Sequence, residues 1–85
     1  MSISKNAVYV YVVLEHDVVD VYNIASKAIE IVLARIRNAE SDALVNGHDV
    51  KQFGISELTS MLRVNGSLTF EHAKSDIQVF MSRVR

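Results

Sequence analysis

The sequence contains no cysteine and no proline, and each absence removes a class of structure or chemistry. Without cysteine there is no disulfide, no iron–sulfur cluster and no thiolate nucleophile, and zinc would have only histidine and carboxylate ligands. Without proline there is no proline-rich linker, and no internal repeat or low-complexity segment divides the chain. We therefore predict that residues 1–85 form a single domain without redox chemistry.

Glycine is also scarce. The three glycines, Gly47, Gly54 and Gly66, lie far apart, so the chain has neither a P-loop nor a dinucleotide-binding fingerprint. No nucleophile stands beside a general base, and no pair of carboxylates shares a predicted face. We therefore predict that the protein is not an enzyme and has no cofactor.

The three histidines, His16, His48 and His72, do not show the i, i+4 spacing that places two metal ligands on one helical face. Glu15, His16 and Asp17 are three possible ligands in a row, but neighbouring residues of a strand point to opposite sides. The sequence therefore predicts no metal site.

The apolar run Ala7–Leu14 is far shorter than the roughly 18 residues that a membrane span needs, so no membrane partner is expected. Residues 1–6 lack the apolar core and cleavage site of a signal peptide. We expect a cytoplasmic protein.

The same run, Ala7–Leu14, is rich in β-branched and aromatic residues and predicts a buried strand. Alternate side chains of a strand point to opposite faces, and here both faces are apolar. One face carries Val8, Val10, Val12 and Leu14, and the other carries Tyr9, Tyr11 and Val13. Such a strand must be covered twice, and the second cover could be the chain's own helices, a symmetry mate or a partner protein.

The segment Val18–Arg37 predicts a long helix, with Asp17 as its N-cap and Asp20 facing the positive end of the helix dipole. Its polar residues form one narrow stripe, and apolar residues cover well over half of the circumference. We expect one flank of this helix to pack on the strand and the other flank to pack on something else.

Leu44–Val50 contains an Asn-Gly pair of the kind that closes a two-residue hairpin. Ser56 is then expected to cap a short helix that ends at Asn65–Gly66, where glycine suits a left-handed stop. The predicted fold is α+β: an N-terminal strand, a long helix, a short hairpin and two C-terminal helices.

The last of these helices is predicted to start at Thr69. Apolar residues from Phe70 to Val84 stand at offsets of 0, 3, 7, 10, 11 and 14, which matches a helical period. The alternative is a hairpin around Asn65–Gly66 followed by a strand from Ile77 to Val84. That strand would put Phe80 and Val84 on its polar side, which favours the helix.

A small domain buries only about 60% of the surface that its unfolded chain exposes. This chain of 85 residues is 49% apolar and 22% charged, and an apolar-rich chain of this size gains stability by self-association. We therefore predict a homodimer, with Tyr9, Tyr11, Ile29 and Leu33 at its interface. The two tyrosines could instead stack unpaired RNA bases if their strand face were exposed.

The two predicted C-terminal helices and their Gly-containing turn resemble a helix-turn-helix unit, although the linker is long and Glu71 and Asp76 lie on the second helix. The C-terminal half is the more basic one, with five Lys or Arg against four Asp or Glu in residues 43–85. The predicted nucleic-acid contacts are Lys51, Arg63, Asn65, Lys74, Arg83 and Arg85.

As a whole, a compact chain without cysteine, proline or a catalytic motif resembles the small accessory proteins of tailed bacteriophages, among them the RNA-binding toxin inhibitors of T-even-like phages. The resemblance implies binding to a host macromolecule. The leading hypothesis is a non-enzymatic nucleic-acid-binding regulatory protein, with RNA favoured over DNA. The alternative is an inhibitor or adaptor that binds a host protein through an exposed apolar surface.

Overall fold

The structure is a computed structural model that describes residues 8–39, 42–72 and 75–84. These residues form an antiparallel six-stranded sheet with the strand order β2-β1-β6-β5-β3-β4. In chain order the elements are β1 (Val8–Glu15), β2 (Val18–Tyr22), α1 (Ala25–Asn38), β3 (Ala43–Val45), β4 (His48–Asp49), a 3₁₀ turn (Val50–Gln52), α2 (Ile55–Asn65), β5 (Ser67–His72) and β6 (Ile77–Val84).

The predicted fold class is wrong, because the described part of the chain is a sheet-rich α+β domain with two α-helices rather than three. The long helix predicted over Val18–Arg37 is a strand, β2, followed by the shorter helix α1. β-Branched side chains dominate Val18–Tyr22 and favour an extended backbone. His16, with a φ of 54°, lets the chain turn back after β1, and Asp17 lies in this turn rather than at a helix N-cap.

The predicted last helix is also wrong, and the helix-turn-helix resemblance fails with it. β5 and β6 take its place, and the side chains of both strands alternate between two faces with the period of a strand. The strand Ile77–Val84, which the sequence offered as an alternative, is present as β6. The sequence disfavoured this strand because it would place Phe80 and Val84 on the polar side, and both side chains do point away from the helices.

Three local predictions are confirmed. β1 is the predicted N-terminal strand, and Asn46–Gly47 closes the β3–β4 hairpin with positive φ at both residues. α2 ends at Gly66, which has a φ of 80°. The N-cap of α2 is Gly54 rather than Ser56, and the Glu57 carboxylate accepts the Gly54 N–H at 3.0 Å.

Both helices pack on one face of the sheet and cover the core. α1 lies on β1, β2 and β6, and α2 lies on β5 and β6. Apolar side chains from both helices meet the inward side chains of the strands, with Phe70, Ile29, Leu58, Leu62 and Ile77 among the largest that are fully buried. We call the opposite side of the sheet the open face.

Gly66 has two roles at the end of α2. Its N–H donates to the Leu62 carbonyl at 2.8 Å, and its own carbonyl accepts the Met81 N–H at 2.9 Å, which joins α2 to β6. A Cβ at Gly66 would meet no atom within 4 Å, so the cost of a side chain comes from the left-handed backbone alone.

We therefore expect Gly66→Ala to lower the free energy of unfolding by about 1–2 kcal/mol, because alanine disfavours this conformation. Gly66→Asn should lose clearly less, because asparagine tolerates left-handed backbone. Urea denaturation of the two variants beside the parent protein measures both values. Equal losses for alanine and asparagine would contradict this role of the backbone.

Candidate interaction surface

The open face carries a continuous apolar area on β2, β1 and β6. Register places Val12 between Val21 of β2 and Phe80 of β6 in one row across the three strands. Leu14 stands beside Val19, and Val8 stands beside Val84. We call this area the open-face patch, and its members are Val8, Val10, Val12, Leu14, Val19, Val21, Phe80 and Val84.

The side chains of the patch contact solvent, although the opposite side chains of β1 and β6 are part of the core. Val19 is 56% exposed, Val21 is 59% exposed and Phe80 is 37% exposed. Val10, Val12 and Leu14, in the middle strand, are half-buried by their neighbours in the sheet. Single exposed apolar residues are common on proteins, but eight in one continuous area make this face a candidate interaction site.

No charged residue belongs to the open-face patch. Ser82 and Gln78 are its polar neighbours along β6. The other half of the open face is more polar, because Ser67, Thr69 and Glu71 of β5 point to this side, although the exposed Leu44 of β3 lies beside Glu71. The open face therefore has an apolar half next to a more polar half.

The side chains predicted to bind nucleic acid do not form one surface in the part of the chain that the structure describes. Lys51 follows β4 at one edge of the sheet, and its Nζ lies 3.6 Å from Asp42 Oδ1. Arg83 lies on β6, three strands away in the sheet order. Arg63 and Asn65 are exposed in the last turn of α2. Lys74 and Arg85 lie outside the described residues.

The side chains predicted for the dimer interface lie on the helix-covered side of the molecule. Tyr11 and Ile29 are buried in the chain's own core, and Leu33 is half-buried against it. Tyr9 is 37% exposed and stands beside Arg83. The residues that sequence reasoning missed are those of β2 and β6, because both segments were predicted as helix.

A cluster of polar side chains lies at the end of the sheet where β1 turns into β2. Arg35 of α1 donates to Glu15 Oε1 at 3.4 Å and to the Asp20 carboxylate. The Ser75 hydroxyl donates to Glu15 Oε2 at 2.8 Å, and His72 Nε2 lies 3.8 Å from the same oxygen. The cluster therefore joins α1 to β1 and β2 through Arg35, and joins β1 to the segment before β6 through Ser75.

We expect Arg35→Met to lower the free energy of unfolding by about 1–3 kcal/mol, because two half-buried carboxylates lose their cation. Arg37→Met is the matched control: Arg37 is exposed two positions further along α1, and its loss should cost less than about 0.5 kcal/mol. Urea denaturation at low and high salt measures both, and the Arg35 effect should shrink with salt. Equal effects of the two substitutions would contradict the stabilising role of the Arg35 ion pairs.

Comparisons of the chain with protein-family models, with curated proteins and with solved structures give no match. The resemblance to phage accessory proteins therefore stays a prediction. Among residues 8–39, 42–72 and 75–84, no helix has the length and apolar character to cross a membrane. In the same residues, no three histidine, aspartate or glutamate side chains are grouped as metal ligands.

Proposed function

We propose that the protein is a small non-enzymatic interaction protein that works as a homodimer, with two copies joined through their open-face patches. The observation that carries this proposal is the uncharged patch of eight apolar residues on a sheet face that neither helix covers. Covering such a face removes apolar surface from water, which is the main favourable term in association.

A second copy of the chain is the occupant that suits this patch best. In a two-fold dimer the same patch faces itself, so any charge in it would be buried twice, and a charge near the two-fold axis would face a like charge. The open-face patch contains none, and its apolar side chains complement themselves without a specific partner sequence. Two such sheets pack face to face at about 10 Å, with their strands within about 30° of alignment.

The size of the patch suits the centre of a dimer interface. Three strands about 4.8 Å apart, two of them about 26 Å long and β2 about 17 Å long, give a projected area of roughly 330 Å², within the range of functional apolar patches. Stable interfaces bury roughly 800 Å² per partner, so the proposed interface extends beyond the patch onto the rest of the open face.

The proposed dimer places the helices of both copies on its two outer surfaces. Other molecules, including a host protein, would then meet α1 and α2 rather than the sheet. An inhibitor or adaptor of this kind would bind its partner through the helices, because the dimer buries the exposed apolar surface of the sheet.

Nucleic-acid binding has less support. The predicted helix-turn-helix is absent, and the described candidates lie apart, on β6, at the end of α2 and after β4. Arg83→Glu tests it directly, because a phosphate contact on β6 would be replaced by repulsion, so binding to RNA would weaken and its dependence on salt would become less steep. Unchanged RNA binding by this variant would count against any role of Arg83.

Sedimentation equilibrium of the purified protein over the micromolar range, with absorbance read at 260 and 280 nm, tests the proposed function. We expect a dimer with a low 260/280 ratio. A monomer at every concentration would contradict the homodimer. A high ratio that falls after nuclease treatment would favour nucleic-acid binding instead, and the absence of tryptophan makes this signal sensitive.

A further inference from the structure

A pocket of about 410 Å³ lies between α1 and the segment after β4. Its volume is within the range of small-molecule sites, about 300–1,000 Å³. Its apolar lining comes from Leu33 and Ile36 of α1, Val50 of the 3₁₀ turn and Phe53. Because α1 covers the side of the sheet opposite the open face, the pocket would stay accessible in the proposed dimer.

The wall of the pocket after β4 is held in place by local contacts. Asp49 Oδ1 accepts the Lys51 N–H at 2.9 Å, which fixes the 3₁₀ turn. The Phe53 N–H donates to the Val50 carbonyl at 3.1 Å. The ring of His48 meets the Phe53 ring edge to face, with centroids 6.4 Å apart. The apolar wall is thus formed before any ligand arrives, which reduces the entropic cost of binding.

Among the residues that the structure describes, the rim of the pocket is cationic on balance. Arg37 and Lys51 line it together with one described acid, Asp42. Lys51 and Asp42 are 3.6 Å apart, but their side chains are 76% and 89% exposed. An exposed pair of this kind is weak, so Lys51 can exchange Asp42 for an anionic ligand at little cost.

We propose that this pocket binds a small organic acid. The apolar body of the ligand lies against Leu33, Val50 and Phe53, and its carboxylate lies at the rim that carries Arg37 and Lys51. A few charged groups at the edge of an apolar pocket orient a ligand in this way. This site does not depend on the open-face patch, so either proposal can fail alone.

Titration of the ¹⁵N-labelled protein with octanoate, followed by backbone amide shifts, tests the pocket. We expect saturable shifts centred on Leu33, Val50 and Phe53. Octanol and octylamine have the same apolar chain without the negative charge. The dissociation constants of both should be at least about fivefold higher than that of octanoate. Shifts centred elsewhere, including the open-face patch, or equal affinities for octanoate and octylamine, would overturn the proposal.

The double variant Arg37→Gln and Lys51→Gln separates the charge from the apolar lining. It should lose about fivefold or more in octanoate affinity and keep its octanol affinity within about twofold. Lys27→Gln, an exposed cation at the other end of α1, is the matched control and should bind octanoate like the parent protein. An unchanged octanoate affinity in the double variant would overturn the assignment of the rim.

Discussion

Replacing Val21 with aspartate is expected to convert the proposed homodimer into a monomer and to raise its dissociation constant by more than about a hundredfold. A two-fold dimer would bury two new carboxylates in an apolar interface without partners, which costs several kcal/mol. A hundredfold change corresponds to only about 2.8 kcal/mol. Val21 is 59% exposed on β2, so the isolated domain should fold with the substitution.

Val64→Asp is the matched control for this experiment. Val64 is 83% exposed on α2, on the opposite side of the molecule, and receives the same change of residue. Sedimentation equilibrium should show a monomer for Val21→Asp and a dimer for Val64→Asp, with far-UV circular dichroism confirming that both are folded. A dimer from both variants would place the interface away from the open-face patch.

Phe70→Ala is expected to have the largest effect on folding. Phe70 is fully buried between the sheet and the helices, and removing such a ring costs about 3–5 kcal/mol. The free energy of unfolding of a small domain is only about 5–15 kcal/mol, so this loss is a large fraction of the total. Urea denaturation at fixed protein concentration measures the loss.

Phe80→Ala is the matched control, because Phe80 is a phenylalanine on the other face of the sheet and is 37% exposed. Both variants should be measured in the monomeric Val21→Asp background, where dimer formation does not add to stability. Phe80→Ala should then cost less than half as much as Phe70→Ala. Equal losses would contradict the placement of these rings on opposite faces.

The elements that the sequence predicted correctly have strong local signals. β-Branched and aromatic residues without glycine mark β1, and Asn46–Gly47 fits the positive φ values of a tight hairpin. Gly66 fits the left-handed end of α2. In each case the deciding interaction lies within a few residues, so the sequence alone is sufficient.

The wrong helix predictions come from the assumption that the chain buries all of its own apolar side chains. A strand from Ile77 to Val84 leaves Phe80 and Val84 on its polar side, so the assumption favours a helix from Phe70 to Val84. On the open face, however, apolar side chains remain exposed. The helical spacing arose by chance from residues on two strands and both faces, and strand pairing, which is non-local, decided the structure.

The same assumption hid the candidate site. The two apolar faces of β1 indicated that a second cover was needed, and Val8, Val10, Val12 and Leu14 were placed together on one face. The neighbouring members of the patch on β2 and β6 depend on register and strand order. Register and strand order are not encoded by a local pattern. The sequence therefore indicates that β1 needs a second layer, but it does not identify the residues of β2 and β6 that share its apolar face.

The most direct test of the homodimer is an isotope-filtered NOE experiment on a mixture of labelled and unlabelled chains, which detects only contacts between copies. We expect intermolecular NOEs among the methyl groups of Val10, Val12 and Val21 and the ring of Phe80. NOEs between copies that involve residues of α1 or α2 instead, or none in a sample shown to be monomeric, would contradict an interface formed by the open-face patch.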